Sequence, residues 1–165
     1  MQIEKLFFYI VPEYESDQYI KLNGKKYFLQ QIHAHIPSEH TLNTKRYAIE
    51  WHFVHKNINN EIVVIASWGE IGKMTNSQYQ IVKEEIHNNK ESYFSLDIQK
   101  MLPDKKHFYA YEGSLTTPPT IEGVTWIILK DILVLDNAVF KSCNKISHNN
   151  NRPLQPCNHR KILER

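Results

Sequence analysis

The stretch Gln30–His55, QQIHAHIPSEHTLNTKRYAIEWHFVH, holds five of the chain's nine histidines. His33 and His35 sit one residue apart. His52 follows after a turn-like gap, two residues past Glu50. Side chains alternate faces along a strand, so His33 and His35 point the same way, and Glu50, His52 and Val54 share a face on the next strand. If the two strands pair antiparallel, three imidazoles converge on one point.

Zinc favours such nitrogen ligands, and a three-histidine site leaves its fourth tetrahedral position open. Three neutral ligands leave the ion's charge intact, which acidifies a coordinated water toward neutral pH. The pattern alone stops at a zinc site serving hydrolysis or hydration. An H-x-H on a strand that holds no metal is the competing reading.

Working outward, YIKLNGKKYFLQQIHAHI reads as two strands about the turn Asn23-Gly24. Arg46–His55 and EIVVIASW read as further strands. Thr75 with Gln78 forms a capping box opening a helix striped by Tyr79, Val82 and Ile86. Asn88–Ser92 reads as a polar loop, and SLDIQKML as a short helical turn stopped by Pro103. HFYAYEGS and GVTWIILK are strands flanking the loop LTTPPTIE. Asp136 caps a short helix carrying Val139, Phe140 and Cys143, and HNNNRPLQP is irregular because of its prolines. The fold class is therefore α+β: a mostly antiparallel, twisted central sheet with short helices at its margins.

The 165 residues make one domain's worth of chain, with 41% hydrophobic and 23% charged residues and a net charge of +2. Mixed charge argues against nucleic acid or an anionic membrane as partner, and no apolar run is long enough to span a bilayer. KLFFYIV is short, acid-flanked and without a small-residue cleavage site, so it does not read as a signal peptide; the chain is cytoplasmic as written, and the sequence assigns no compartment. Cys143 and Cys157 form at most one bridge; Cys143 reads as core.

Three segments carry a resemblance to one family. Gln30–His55, YEGSLTTPPTIEGVTWIILK (Tyr111–Lys130) and NNRPLQP (Asn150–Pro156) resemble, in order, the zinc core and two further signatures of the α-class carbonic anhydrases. The resemblance implies a single domain over residues 1–165, one zinc ion, and reversible hydration of carbon dioxide by attack of zinc-bound hydroxide. It implies His33, His35 and His52 as ligands. It has Thr116 accept from the hydroxide and pass its own proton to Glu39, which fixes the direction of attack. Thr117 lines the polar side of the cavity. Gln31, Glu50 and the Asn150 carbonyl orient His33, His52 and His35 respectively. His40 reads as hydrogen-bonded structure with Tyr111 as partner, and His55 likewise as buried structure. Val54, Val64, Leu115, Val124 and Trp126 form an apolar wall for the gas. His87, His107, His148 and His159 fall outside the motifs and read as solvated.

The chain also departs from the family's pattern. Members carry a substantial N-terminal portion that supplies sheet edges and a proton-shuttling histidine; here no histidine precedes His33, and MQIEKLFF stands near the matching place. Thr120 stands where many bacterial members have a cysteine bridged to the N-terminal portion. Members are often periplasmic or secreted. The expected partners are carbon dioxide and bicarbonate, with self-association through an exposed sheet edge. The alternative is a truncated, weakly active or non-catalytic zinc-binding relative.

Overall fold

The computed structural model describes residues 8–13, 18–74, 76–88 and 92–165. The hairpin forms as its turn chemistry requires. Asn23 (φ 50°) and Gly24 (φ 78°) both take the left-handed conformation, the geometry that matches the twist of the flanking strands. They join β1 (Tyr19–Leu22) to β2 (Lys25–His35). β3 (Ile49–Lys56) and β4 (Ile62–Gly72) follow, each antiparallel to the strand before it.

The chain then leaves the sheet through α1 (Ser77–Asn88) and a 3-10 turn (Ile98–Met101). It returns as β5 (Phe108–Ser114) and β6 (Glu122–Asp136), followed by α2 (Asn137–Ser147) and the short β7 (Leu163–Glu164). The sheet order is β1-β2-β3-β4-β6-β5-β7. Because β6 rather than β5 lies beside β4, that one pairing is parallel, while all the others are antiparallel.

The period-two pattern of β2 and β3 divides the molecule. Ile32, Ala34, Trp51 and Phe53 face the helices and pack with Tyr79, Val82, Met101, Val139 and Cys143. The alternate residues, His33, His35, Glu50 and His52, are buried on the opposite face. There a second cluster joins Tyr47, Val64, Trp68, Val124 and Trp126, with Val54, Tyr111 and Leu115 packed against it.

The helix starts differ in one detail from the sequence reading. Thr75 lies outside the described residues, and Asn76 Oδ1 accepts from Gln78 N at 2.9 Å to begin α1. Asp136 caps α2 as expected, accepting from Ala138 N and Val139 N. Part of the expected polar loop, residues 89–91, lies outside the described residues, and Asn88 belongs to α1. Cys143 is buried, and burial pushes its thiol up to about 12. Cys157 is exposed, and both are free thiols. Among the described residues no helix is long and apolar enough to cross a membrane.

Candidate metal centre

Register builds the centre. β2 and β3 pair so that His33 lies directly across from His52, and His35 from Glu50. The three imidazole centroids are 5.0, 5.1 and 4.7 Å apart. One ring nitrogen from each of His33, His35 and His52 comes within 4.8 Å of the others. Burial, and then the neighbouring imidazoles, hold the His33 ring well below its usual pKa, and His35 is lowered to about 3. Both rings therefore stay neutral at ordinary pH, with the lone pairs that a metal requires.

Two of the three rings are oriented by hydrogen bonds. His35 Nδ1 meets the Asn150 carbonyl at 3.1 Å. Asn150 is itself clamped to the end of β2: its Oδ1 accepts from Ile36 N, and its Nδ2 donates to the Ala34 carbonyl. His52 Nε2 meets Glu50 Oε1 at 2.8 Å. Glu50 is fully buried and also accepts from the His40 backbone N–H at 2.8 Å. Its Oε1 lies 2.6 Å from His40 Nδ1, and His40 Nε2 lies 2.7 Å from the Tyr111 hydroxyl. Burial alone would push the Glu50 carboxyl up, but His40 and His52 together hold it well below the carboxylate range.

His33 is different. Its Nδ1 is buried with no hydrogen-bond partner, so the bond from Gln31 that the resemblance implies is not formed. A β-bulge between Leu29 and Gln31 interrupts the register there, and a bulge re-aims the side chains beside it.

The loop that follows β5 carries Thr116. Gly113 is obligatory at its start, because a Cβ there would come within 2.7 Å of the Tyr111 ring and 3.0 Å of Trp126. Trp126 Nε1 donates to the Ser114 carbonyl at 3.0 Å, and Leu115 N to the Ile121 carbonyl at 2.9 Å. Glu39 Oε1 accepts from Arg152 N at 2.7 Å. Its Oε2 is buried and has no partner, so the implied hydrogen bond from Thr116 is not made either. Glu39 and Thr116 nevertheless line one cavity of about 500 Å³, together with His40, Tyr111, Trp68 and Arg152. The Trp126–Ser114 and Leu115–Ile121 hydrogen bonds anchor the Thr116 loop at its ends.

The apolar residues named from the resemblance do converge. Val54 lies across from Val64, and Val64 across from Trp126, in one row over three strands. Val124 and Leu115 pack into the same cluster, and Thr117 is half-buried on the adjoining loop. His55 is buried, with Nδ1 2.8 Å from the Phe53 carbonyl; His87, His107, His148 and His159 are exposed. Of the segment MQIEKLFF, which stands near the place of the family's shuttling histidine, all but Phe8 lies outside the described residues. Sequence reasoning missed the Asn150 side-chain clamp and the Arg152–Glu39 bond. The only signal for either was that both residues stand within the third motif.

Three neutral, buried imidazoles on one face of paired strands, two of them oriented by hydrogen bonds, define a three-histidine metal site of the kind suited to zinc. The chain matches the model of the eukaryotic-type carbonic anhydrase family over residues 13–165. It is 39% identical to a carbonic anhydrase of Klebsiella pneumoniae over 88% of this chain and 61% of that one. With a carbonic anhydrase of Neisseria gonorrhoeae it shares 35% identity over 91% of this chain and 61% of that one. The α-carbonic anhydrase of Thermovibrio ammonificans, solved with sulfanilamide, superposes with a TM-score of 0.88 at 35% identity, over 96% of this chain and 71% of that one. The chain belongs to this carbonic anhydrase family, and it spans about 61% of the length of the two curated relatives named. Zinc is the family's metal, and the buried histidine group fits it.

Proposed function

We propose that the protein catalyses the reversible hydration of carbon dioxide to bicarbonate and a proton. The observation that carries this reading is the pairing of His33 with His52 across two strands, which brings three buried imidazoles together beside an apolar wall. Zinc bound there supplies the positive charge that brings deprotonation of water into the neutral range. His33, His35 and His52 bind it, while Glu50 and the Asn150 carbonyl fix the tautomers of His52 and His35.

Val54, Val64, Leu115, Val124 and Trp126 give an apolar gas a dry surface, and exclude water that would compete with it. Glu39 Oε2 is a buried acceptor in need of a donor. The Thr116 hydroxyl, lining the same cavity, is the donor proposed for it. With its O–H donating a hydrogen bond to Glu39, Thr116 can only accept from the attacking oxygen, which sets the line of attack. Thr117 lines the polar side.

The test is metal analysis of the purified chain together with stopped-flow hydration of carbon dioxide. One zinc per chain is expected, with a rate that chelation removes. Stoichiometric zinc without rate would favour the second reading, a non-catalytic zinc-binding relative, which the unpartnered Glu39 Oε2 supports.

Self-association is proposed as well. β1 is the edge of the sheet, with its four residues half-buried or exposed, and such an edge can pair with a second copy. Sedimentation should then depend on concentration; one monomeric species throughout would overturn it.

A further inference from the structure

The three metal-site rings are not held alike. His35 and His52 have hydrogen-bonded partners that set their ring planes. Neither nitrogen of His33 has a hydrogen bond among the described residues, and its Nδ1 is buried. Whichever nitrogen faces a metal, the other has no orienting hydrogen bond. Yet His33 supplies a third of the donor set.

A neighbour of another kind stands beside it. Ile10 and Ile32 exchange backbone hydrogen bonds of 2.9 and 2.8 Å in an antiparallel bridge. One step along that register, Tyr9 lies opposite His33, in the non-hydrogen-bonded position where side chains approach most closely. Ile10 packs into the helix-side core, so Tyr9 takes the metal-site face. Its ring meets the His33 imidazole edge-on, with centroids 5.6 Å apart and planes at 68°, a favourable aromatic geometry. Among the described residues the other rings in contact with His33 are His35 and His52, the two remaining members of the metal-site group.

We propose that Tyr9 is the positioning residue for His33, its ring edge fixing the imidazole plane where the other two ligands use hydrogen bonds. This rests on the zinc reading of the centre. It also assigns Tyr9 to the exposed mouth of the site, since its side chain is 46% open to solvent.

Zinc affinity by chelator competition, and the visible absorption of the cobalt(II)-loaded protein, test it. Tyr9→Leu keeps apolar bulk but removes the ring; it should weaken zinc about tenfold, as loss of an orienting partner does, and shift the cobalt bands. Tyr9→Phe keeps the ring and should match the parent in both. Parental affinity and spectrum in Tyr9→Leu would overturn the proposal, as would equal losses in Leu and Phe, which would put the effect in the hydroxyl. A larger loss in Gln31→Ala than in Tyr9→Leu would also overturn it, and return the role to Gln31. If the parent binds no zinc, the metal reading itself fails and this proposal with it; if the parent binds and Tyr9→Leu binds equally, only the role of Tyr9 fails.

Discussion

On the β3 wall of the site, Glu50 is fully buried and both its oxygens are engaged, by His52, by the His40 ring and by the His40 backbone. On the loop wall, Glu39 is almost as buried, but one oxygen takes Arg152 N and the other takes nothing. Both carboxylates sit near imidazoles in one small protein. The difference lies in what surrounds them. Glu50 is on a central strand, two residues from His52, and its other partner, His40, lies ten residues back in the connection between β2 and β3. Glu39 depends on a loop after β5 and on the C-terminal segment, both distant in sequence. Glu50 finds its partners within the β2–β3 segment, whereas Glu39 meets its backbone donor from the distant C-terminal segment.

The largest test of that contrast is Glu50→Ala. Removing one member of a buried charged network should cost about 3–5 kcal/mol of stability and weaken zinc by roughly 10–100-fold. Denaturant unfolding of the metal-free protein and chelator competition measure the two. An unfolding midpoint equal to the parent's would mean the β3 wall is not a structural unit. Thr116→Ala should do the reverse, leaving zinc affinity and unfolding midpoint in place while the hydration rate falls by about 10²–10³, roughly 3 kcal/mol of barrier. A rate equal to the parent's would remove the loop wall from the chemistry.

The smallest effect concerns pH. Burial lowers His55, on the same strand as His52, to about 4 from an ordinary value of 6.5. Between those values the unfolded chain takes up a proton that the folded chain refuses. Stability is therefore full above pH 6.5 and declines as pH falls toward 4. His55→Gln should flatten the decline of the metal-free protein between pH 7 and 5.5 by about 1 kcal/mol. An unchanged slope would show that other groups carry the acid sensitivity.

The sheet was legible because its signals are local. Alternation along Gln30–His55, the Asn23-Gly24 turn and the Asp136 cap each specify structure within a few residues. The convergence of the ligands was legible for the same reason, since it needs only period two and antiparallel pairing. The parallel pairing of β4 with β6 was not, because nothing in either strand states which neighbour it takes. The orientation of His33 was not legible either. The Gln31 assignment came from the resemblance, which carries no word of the bulge between Leu29 and Gln31. Tyr9 reaches His33 through a two-residue bridge that has no pattern of its own.

The lone parallel pairing has a consequence for how the molecule assembles. β1 to β4 follow one another as antiparallel neighbours, and β5 with β6 form a second antiparallel pair. Within the sheet the two blocks are paired where β4 lies along β6, a contact between segments far apart in the chain, and distant contacts of this kind form slowly because a long loop must close first. The metal ligands belong to the first block. Trp126, Val124 and Thr116 belong to the second strand pair and its loop. A partly folded chain with that seam open would already bring the three histidines together beside Val54 and Val64 while lacking Val124, Trp126 and the Thr116 loop, so zinc capture is expected to precede competence for the proposed chemistry. On the proposed reading, a refolding chain is expected to take up metal before it completes the apolar surface, because of the place where the sheet changes direction.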